Sequence, residues 1–171
     1  MSEFTLRSAT TADAAALARF AAHVFEQTFG PENTAEDMAD YLRTTYSPEL
    51  QREEIAETGA EVLLAEVNGA IVGYSYFRVG PAPDCVTAER PFEISRFYVD
   101  REQHGRGIAA ALMERTLAAA APLGDAIWLS VWEHNGRALA FYRRFGFEVV
   151  GERGFQLGSD LQRDLLMARP L

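Results

Sequence analysis

Lysine is absent from this chain, and all 16 basic residues are arginine. No lysine side chain is therefore available for acylation, and the bias reads as genomic composition rather than mechanism. Cysteine is nearly absent too. Cys85 stands alone, which excludes an internal disulfide and fits a reducing compartment. It sits in the proline-rich stretch GPAPDCVTAERP, where a surface-loop thiol is the simpler reading than a nucleophile. No apolar run approaches the roughly 20 residues that cross a bilayer. The opening MSEFTLRSAT lacks the basic start and apolar core of a secretory signal. The expected location is the cytoplasm, with no membrane partner. No basic stripe is present, so nucleic acid is not an expected ligand. His23 and His134 lack Cys or His companions at ligand spacing, so no metal site is expected. No Ser-His-Asp arrangement can be argued.

What is present describes one domain. A length of 171 residues, 48% hydrophobic and 24% charged, suits a single soluble domain over 1–171 with a substantial core. The charge is unevenly shared. Residues 1–93 carry 16 acidic and 6 basic groups, whereas residues 94–171 carry 9 and 10. Two readings are open. The acids are solvated helix faces, or the acidic half attracts a cationic substrate while the other half holds an anionic cofactor.

Periodicity places the elements. Phe4, Leu6 and Ala9 begin a strand, and Thr10 with Asp13 caps a helix that buries Leu17, Phe20, Ala21, Val24 and Phe25. Gly30-Pro31 ends it. Thr34 with Asp37 caps a second helix, and Ser47-Pro48 starts a third that runs to about Glu57. Strands 61–67 and 70–79 are joined by Asn68-Gly69, a two-residue hairpin signal. The proline-rich segment 80–91 reads as a mobile flap near a substrate. Then come a strand over 92–99, a helix over 108–121, a strand over 126–131, a helix over 135–145, and a terminal pair at 147–157 and 162–168. This order predicts an α/β fold, one mixed, mostly antiparallel sheet of about seven strands with helices on both faces.

The most informative stretch is YVDREQHGRGIAAAL, from Tyr98 to Leu112, in which a strand turns through glycines into an alanine-rich helix. Gly105 and Gly107 free the turn of β-carbons, so its N–H groups can approach an anion, and the helix start adds its dipole. A phosphate or pyrophosphate is the implied ligand. About twenty residues later follows LSVWEHN, continuing through Ala138 to Phe141-Tyr142 and Phe145-Gly146-Phe147.

These two blocks resemble the GCN5-related N-acetyltransferase superfamily, which moves acetyl from acetyl-coenzyme A to an amine. HGRGIA at 104–109 is similar to its pyrophosphate loop, and Asn135…Ala138…Phe141-Tyr142…Gly146-Phe147 to its second signature. His104 departs from the usual Gln or Arg. The resemblance implies the acyl-CoA N-acyltransferase fold, acetyl-CoA as co-substrate and diphosphate contacts from His104, Gly105, Arg106, Gly107, Ile108 and Ala109. It also implies a pantetheine arm running between splayed strands along Phe97, Tyr98 and Val99, a cofactor contact from Asn135, and a homodimer as one assembly. A further set, including Thr28-Phe29, Asn33-Thr34, Tyr41-Leu42 and Phe155-Gln156-Leu157-Gly158 followed by Asp160, Gln162, Asp164 and Met167, resembles the bacterial PaiA-like branch linked to spermidine and spermine. The acceptor implied is a small cationic amine, and the ten acids between Glu32 and Glu66 are expected to serve it.

Acetyl transfer needs a base for the ammonium and a proton for the leaving thiolate. The resemblance assigns Tyr142 as proton donor and Glu93 as base, directly or through water. Read without it, Tyr142 packs with its hydroxyl on a carbonyl, and Glu93 partners Arg96 or Arg90. Arg143 and Arg144 are either phosphate ligands or solvated. Trp128 reads as core and Trp132 as a border of the substrate mouth. The other readings are transfer to another amine, amino acid or protein amino terminus, and a non-catalytic coenzyme-A-binding regulator.

Overall fold

The computed structural model describes residues 3–171. Seven strands form one sheet: β1 (Phe4–Ser8), β2 (Ala60–Val67), β3 (Ala70–Val79), β4 (Pro91–Val99), β5 (Ala126–Trp132), β6 (Glu148–Leu157) and β7 (Asp160–Pro170). Their spatial order is β1-β2-β3-β4-β5-β7-β6, and every pairing is antiparallel except β4 with β5. Helices α1 (Ala14–Phe29), α2 (Ala35–Thr45) and α3 (Pro48–Ala56) lie on one face. Helices α4 (Ile108–Ala120) and α5 (Gly136–Arg144) lie on the other.

Local signals set the ends of these elements. Thr34 and Ser47 accept from the N–H groups of Asp37 and Leu50, capping α2 and α3. Asn68 and Gly69, both at positive φ, make the β2–β3 turn. Alternation in β5 buries Ile127, Leu129 and Val131 against α4 and α5, while Trp128 and Trp132 go to the opposite face. Trp128 is core, as expected. The segment expected to be a mobile flap is instead pinned. Val86 is buried against Trp128 and Leu166, and Asp125 accepts from the Glu89 and Arg90 N–H groups at 2.8 Å.

Two irregularities shape the middle of the sheet. In the β3–β4 ladder Tyr76 faces Arg96 and Phe77 faces Ile94, so Ser95 is one residue too many for its partner strand. Glu93 and Arg96, three apart, thereby stand opposite Arg78 and Tyr76 on the same sheet face. The β4–β5 pairing stops at Ile94 with Leu129. Beyond it the two strands diverge, and residues 95–99 lose their neighbour on that side.

The β6–β7 turn is tied to α2. Asp37 accepts from the Ser159 N–H at 3.1 Å, and Gly158 passes so close, at φ +58°, that a β-carbon there would stand 2.0 Å from Asp37 Oδ1.

Candidate active site

A cleft of 1140 Å³ opens where β4 and β5 part. This is room for a cofactor arm and a second ligand. Residues 93–99 of β4 and 129–132 of β5 line it, along with the turn before α4, the inner side of α5, and residues from α1, α2, α3, β6 and β7.

At one end lies the glycine turn. Gly105 and Gly107 hold φ near +82° and +81°, left-handed values that L side chains adopt at a cost of about 1–2 kcal/mol. A β-carbon at either would have nothing within 4 Å, so the turn presents bare backbone to open space. The first main-chain hydrogen bond of α4 runs from the Ala111 N–H to the Gly107 carbonyl, so the preceding N–H groups have no helical acceptor. His104 holds this turn shut. Its Nε2 lies 3.0 Å from the Val99 carbonyl, which can only accept, so Nε2 carries the hydrogen. His104, Gly105, Gly107, Ile108 and Ala109 all line the cleft. Arg106 instead turns to the Gln103 side chain.

Along the split, Phe97 packs under Phe141 and Tyr142, while Tyr98 stacks on Tyr74 across the sheet. Side chains of 97–99 therefore point to both faces, and their main chain borders the cleft. Ser95 Oγ, at the start of the split, is buried without a hydrogen-bond partner. Asn135 caps α5 by accepting from the Ala138 N–H at 3.1 Å, which leaves its NH₂ end as a donor for a ligand. Arg143, expected as a phosphate ligand, does not line the cleft; Arg137 and Arg144 do. The 3.6-residue period accounts for this, because neighbours on a helix face different ways.

Tyr142 lies in the wall between the split and α5, 8% exposed, edge-on to Phe97 and Phe147. Burial holds its pKa above the ordinary phenol value, so it keeps its proton. Glu93 lines the cleft on the face of α1, α2 and α3, with Arg78 as its ion-pair partner at 3.4 Å. Arg96, one of the partners anticipated for Glu93, is half-buried and pairs instead with Glu54 of α3, with its guanidinium 5.0 Å from the Tyr46 ring centre.

The other end of the cleft is aromatic. Phe29 packs on Trp132 at 5.6 Å and on Phe155 at 6.4 Å, and Tyr41 meets Phe155 at 5.9 Å. Trp132 borders this compartment, as its place at the strand end predicts. Of the ten acids between Glu32 and Glu66, Glu54 alone lines the cleft, already paired to Arg96. Sequence reasoning assigned no role to Asp164, which also lines it. Its signal in the sequence was its place in the set that resembles the PaiA-like branch, which named the residue without giving it a task.

A twisted sheet split at its centre, with an anion-binding turn at one end of the gap, is the architecture of acyl-CoA N-acyltransferases. The sequence profile of the acetyltransferase (GNAT) family matches residues 24–147, and the chain belongs to that family. It is an acetyl-CoA-dependent N-acetyltransferase. An uncharacterized N-acetyltransferase of Mycobacterium tuberculosis is 35% identical over 160 residues, covering 93% of this chain and 98% of the relative. A spermine/spermidine N(1)-acetyltransferase of Bacillus subtilis is 29% identical over 89 residues, covering 51% and 59%. In fold, the chain is similar to the PaiA N-acetyltransferase of Thermoplasma acidophilum, solved with coenzyme A, at a TM-score of 0.76 and 18% identity over 99% of both chains.

Proposed function

We propose that this enzyme acetylates a primary amine, with a polyamine such as spermidine or spermine as first candidate acceptor. In this scheme the turn at 104–109 holds the diphosphate and the parted strands hold the pantetheine arm. Acetyl-CoA supplies an activated thioester. Glu93 takes the ammonium proton, directly or through a water, and Tyr142 protonates the departing sulfur. The observation that carries the scheme is the split itself: β4 loses its β5 partner after Ile94, beside a turn with bare backbone. The raised pKa of Tyr142 suits a donor, since an acid must hold its proton at working pH.

The polyamine reading draws on the Bacillus subtilis relative and on an adjoining 610 Å³ recess. Glu32, Glu133, Glu152 and Asp160 line this recess, which shares Trp132, His134 and Arg153 with the cleft. Arg163 pairs with both Glu133 and Glu152, so its one positive charge offsets one of the four negative charges. Calorimetry with coenzyme A and a thiol-release assay over polyamines, aminoglycosides, amino acids and peptides test the proposal. Coenzyme A uptake with transfer to polyamines above the rest is expected. Polyamines no better than other acceptors would remove that substrate, and failure of every amine would remove the scheme.

A further inference from the structure

The acetyl-transfer scheme gives no task to Asp164, which lines the cleft. Asp164 lies in β7, directly across from Trp132 of β5 and Arg153 of β6. It is 7% exposed. Its Oδ2 accepts from the Ser130 hydroxyl at 2.6 Å, and its Oδ1 has no hydrogen-bond partner. A carboxylate oxygen removed from water without a donor is costly, so such a group calls for a cation or a proton. Burial pushes its pKa up, with the Ser130 hydrogen bond and Arg153 working against the shift. Arg153 makes no ion pair with it among the described residues, and its guanidinium lies 5.7 Å from the Trp128 ring centre. The other cation lining this end, Arg96, is committed to Glu54.

The surroundings are aromatic. Trp132 is the cross-strand neighbour of Asp164, and Phe155 stands diagonally across the β6–β7 ladder. Phe29 closes on both rings, and Tyr41 packs on Phe155. An alkylammonium group satisfies this setting twice, as hydrogen-bond donor to the unpaired oxygen and as a cation against aromatic faces. A neutral hydroxyl of the same shape can donate one hydrogen bond but brings no charge to the carboxylate or to the aromatic faces.

We propose that Asp164 is the counter-charge for the acceptor's ammonium group, held in place by Ser130 and walled by Phe29, Tyr41, Trp132 and Phe155. The proposal rests on reading this compartment as the acceptor side of an acetyltransferase. It selects a cationic alkylamine over a neutral isostere and makes Asp164 a specificity-determining residue.

The test is calorimetry on the complex with coenzyme A, where no acetyl is present and binding is read apart from turnover. The probes are spermidine, phenethylamine and its neutral isostere 2-phenylethanol. Wild type should bind phenethylamine at least about tenfold more tightly than the alcohol. Asp164→Asn should lose that preference while keeping coenzyme A affinity, and Asp164→Glu should restore part of it. Equal binding of amine and alcohol to wild type overturns the proposal, even if the variants fail to fold. So does unchanged amine affinity in a folded Asp164→Asn, or no amine binding to wild type at about 10 mM. Acetyl transfer is measured separately. Its absence beside intact, Asp164-dependent amine binding would remove the transferase scheme and leave this site standing.

Discussion

At the glycine-turn end of the cleft, the lining comes from one short stretch, 104–110, where Gly105 and Gly107 leave the main chain bare. At the aromatic end the polar groups are side chains, delivered by α3, β3, β4, β5 and β7 from positions more than a hundred residues apart, such as Glu54 and Asp164. A site made of backbone tolerates change in every side chain that does not intrude on it. A site made of converging side chains shifts when any contributing element moves. The first kind suits a ligand shared by many enzymes, and the second suits the ligand that tells them apart.

The largest expected effect is at the backbone end. Gly107→Val forces a branched side chain into left-handed geometry and into the space the anion would occupy. Coenzyme A affinity should fall at least about a hundredfold by calorimetry. Amine binding at the far end should survive if the two ends are as separate as their construction implies. Tyr142→Phe comes next, with turnover lowered at least about tenfold and coenzyme A affinity little changed. Equal rates in wild type and variant would remove Tyr142 from proton transfer.

The same contrast explains what was legible in the sequence. The glycine turn, the hairpin at Asn68-Gly69, the caps at Thr34 and Ser47, and the order of strands are local patterns, and they can be read along the chain. Asn135 also follows its spacing as the cap of α5. The choice of Arg137 and Arg144 over Arg143 depends on how α5 is rotated against the sheet. Asp164 fell within the PaiA-like set, but its role was out of reach for a similar reason. Its surroundings come from α1, α2, β5 and β6, and a strand carboxylate carries no local mark of its partners. The pinned flap shows the limit from the other side: proline content said loop, but burial of Val86 against Trp128 is a tertiary fact.

Two smaller effects probe the side-chain end. Glu93→Gln should reduce turnover about fivefold with amine binding nearly intact, read as a kcat change without a matching KM change. A variant with normal turnover would leave Glu93 a partner of Arg78 and nothing more. Gly158→Ala places a methyl group against Asp37 and should push α2 from the hairpin turn. The amine KM should rise about threefold, with coenzyme A affinity unchanged. A parallel loss of coenzyme A binding would show that the two ends are mechanically joined.

The supernumerary Ser95 gives β4 two phases. Below it, Phe92 and Ile94 face the α4 side; above it that duty passes to Phe97, and the odd and even positions trade places. Drawing Ser95 into the ladder as an ordinary residue would impose a single alternation and exchange the orientations of Phe97 and Tyr98, whereas excising it would leave both where they are. The extra residue thus lets Glu93, Arg96 and Tyr98, spaced three and then two apart, share one sheet face, and a slip that took Ser95 into the ladder would carry Arg96 and Tyr98 to the α4 side while β4 still paired with β3.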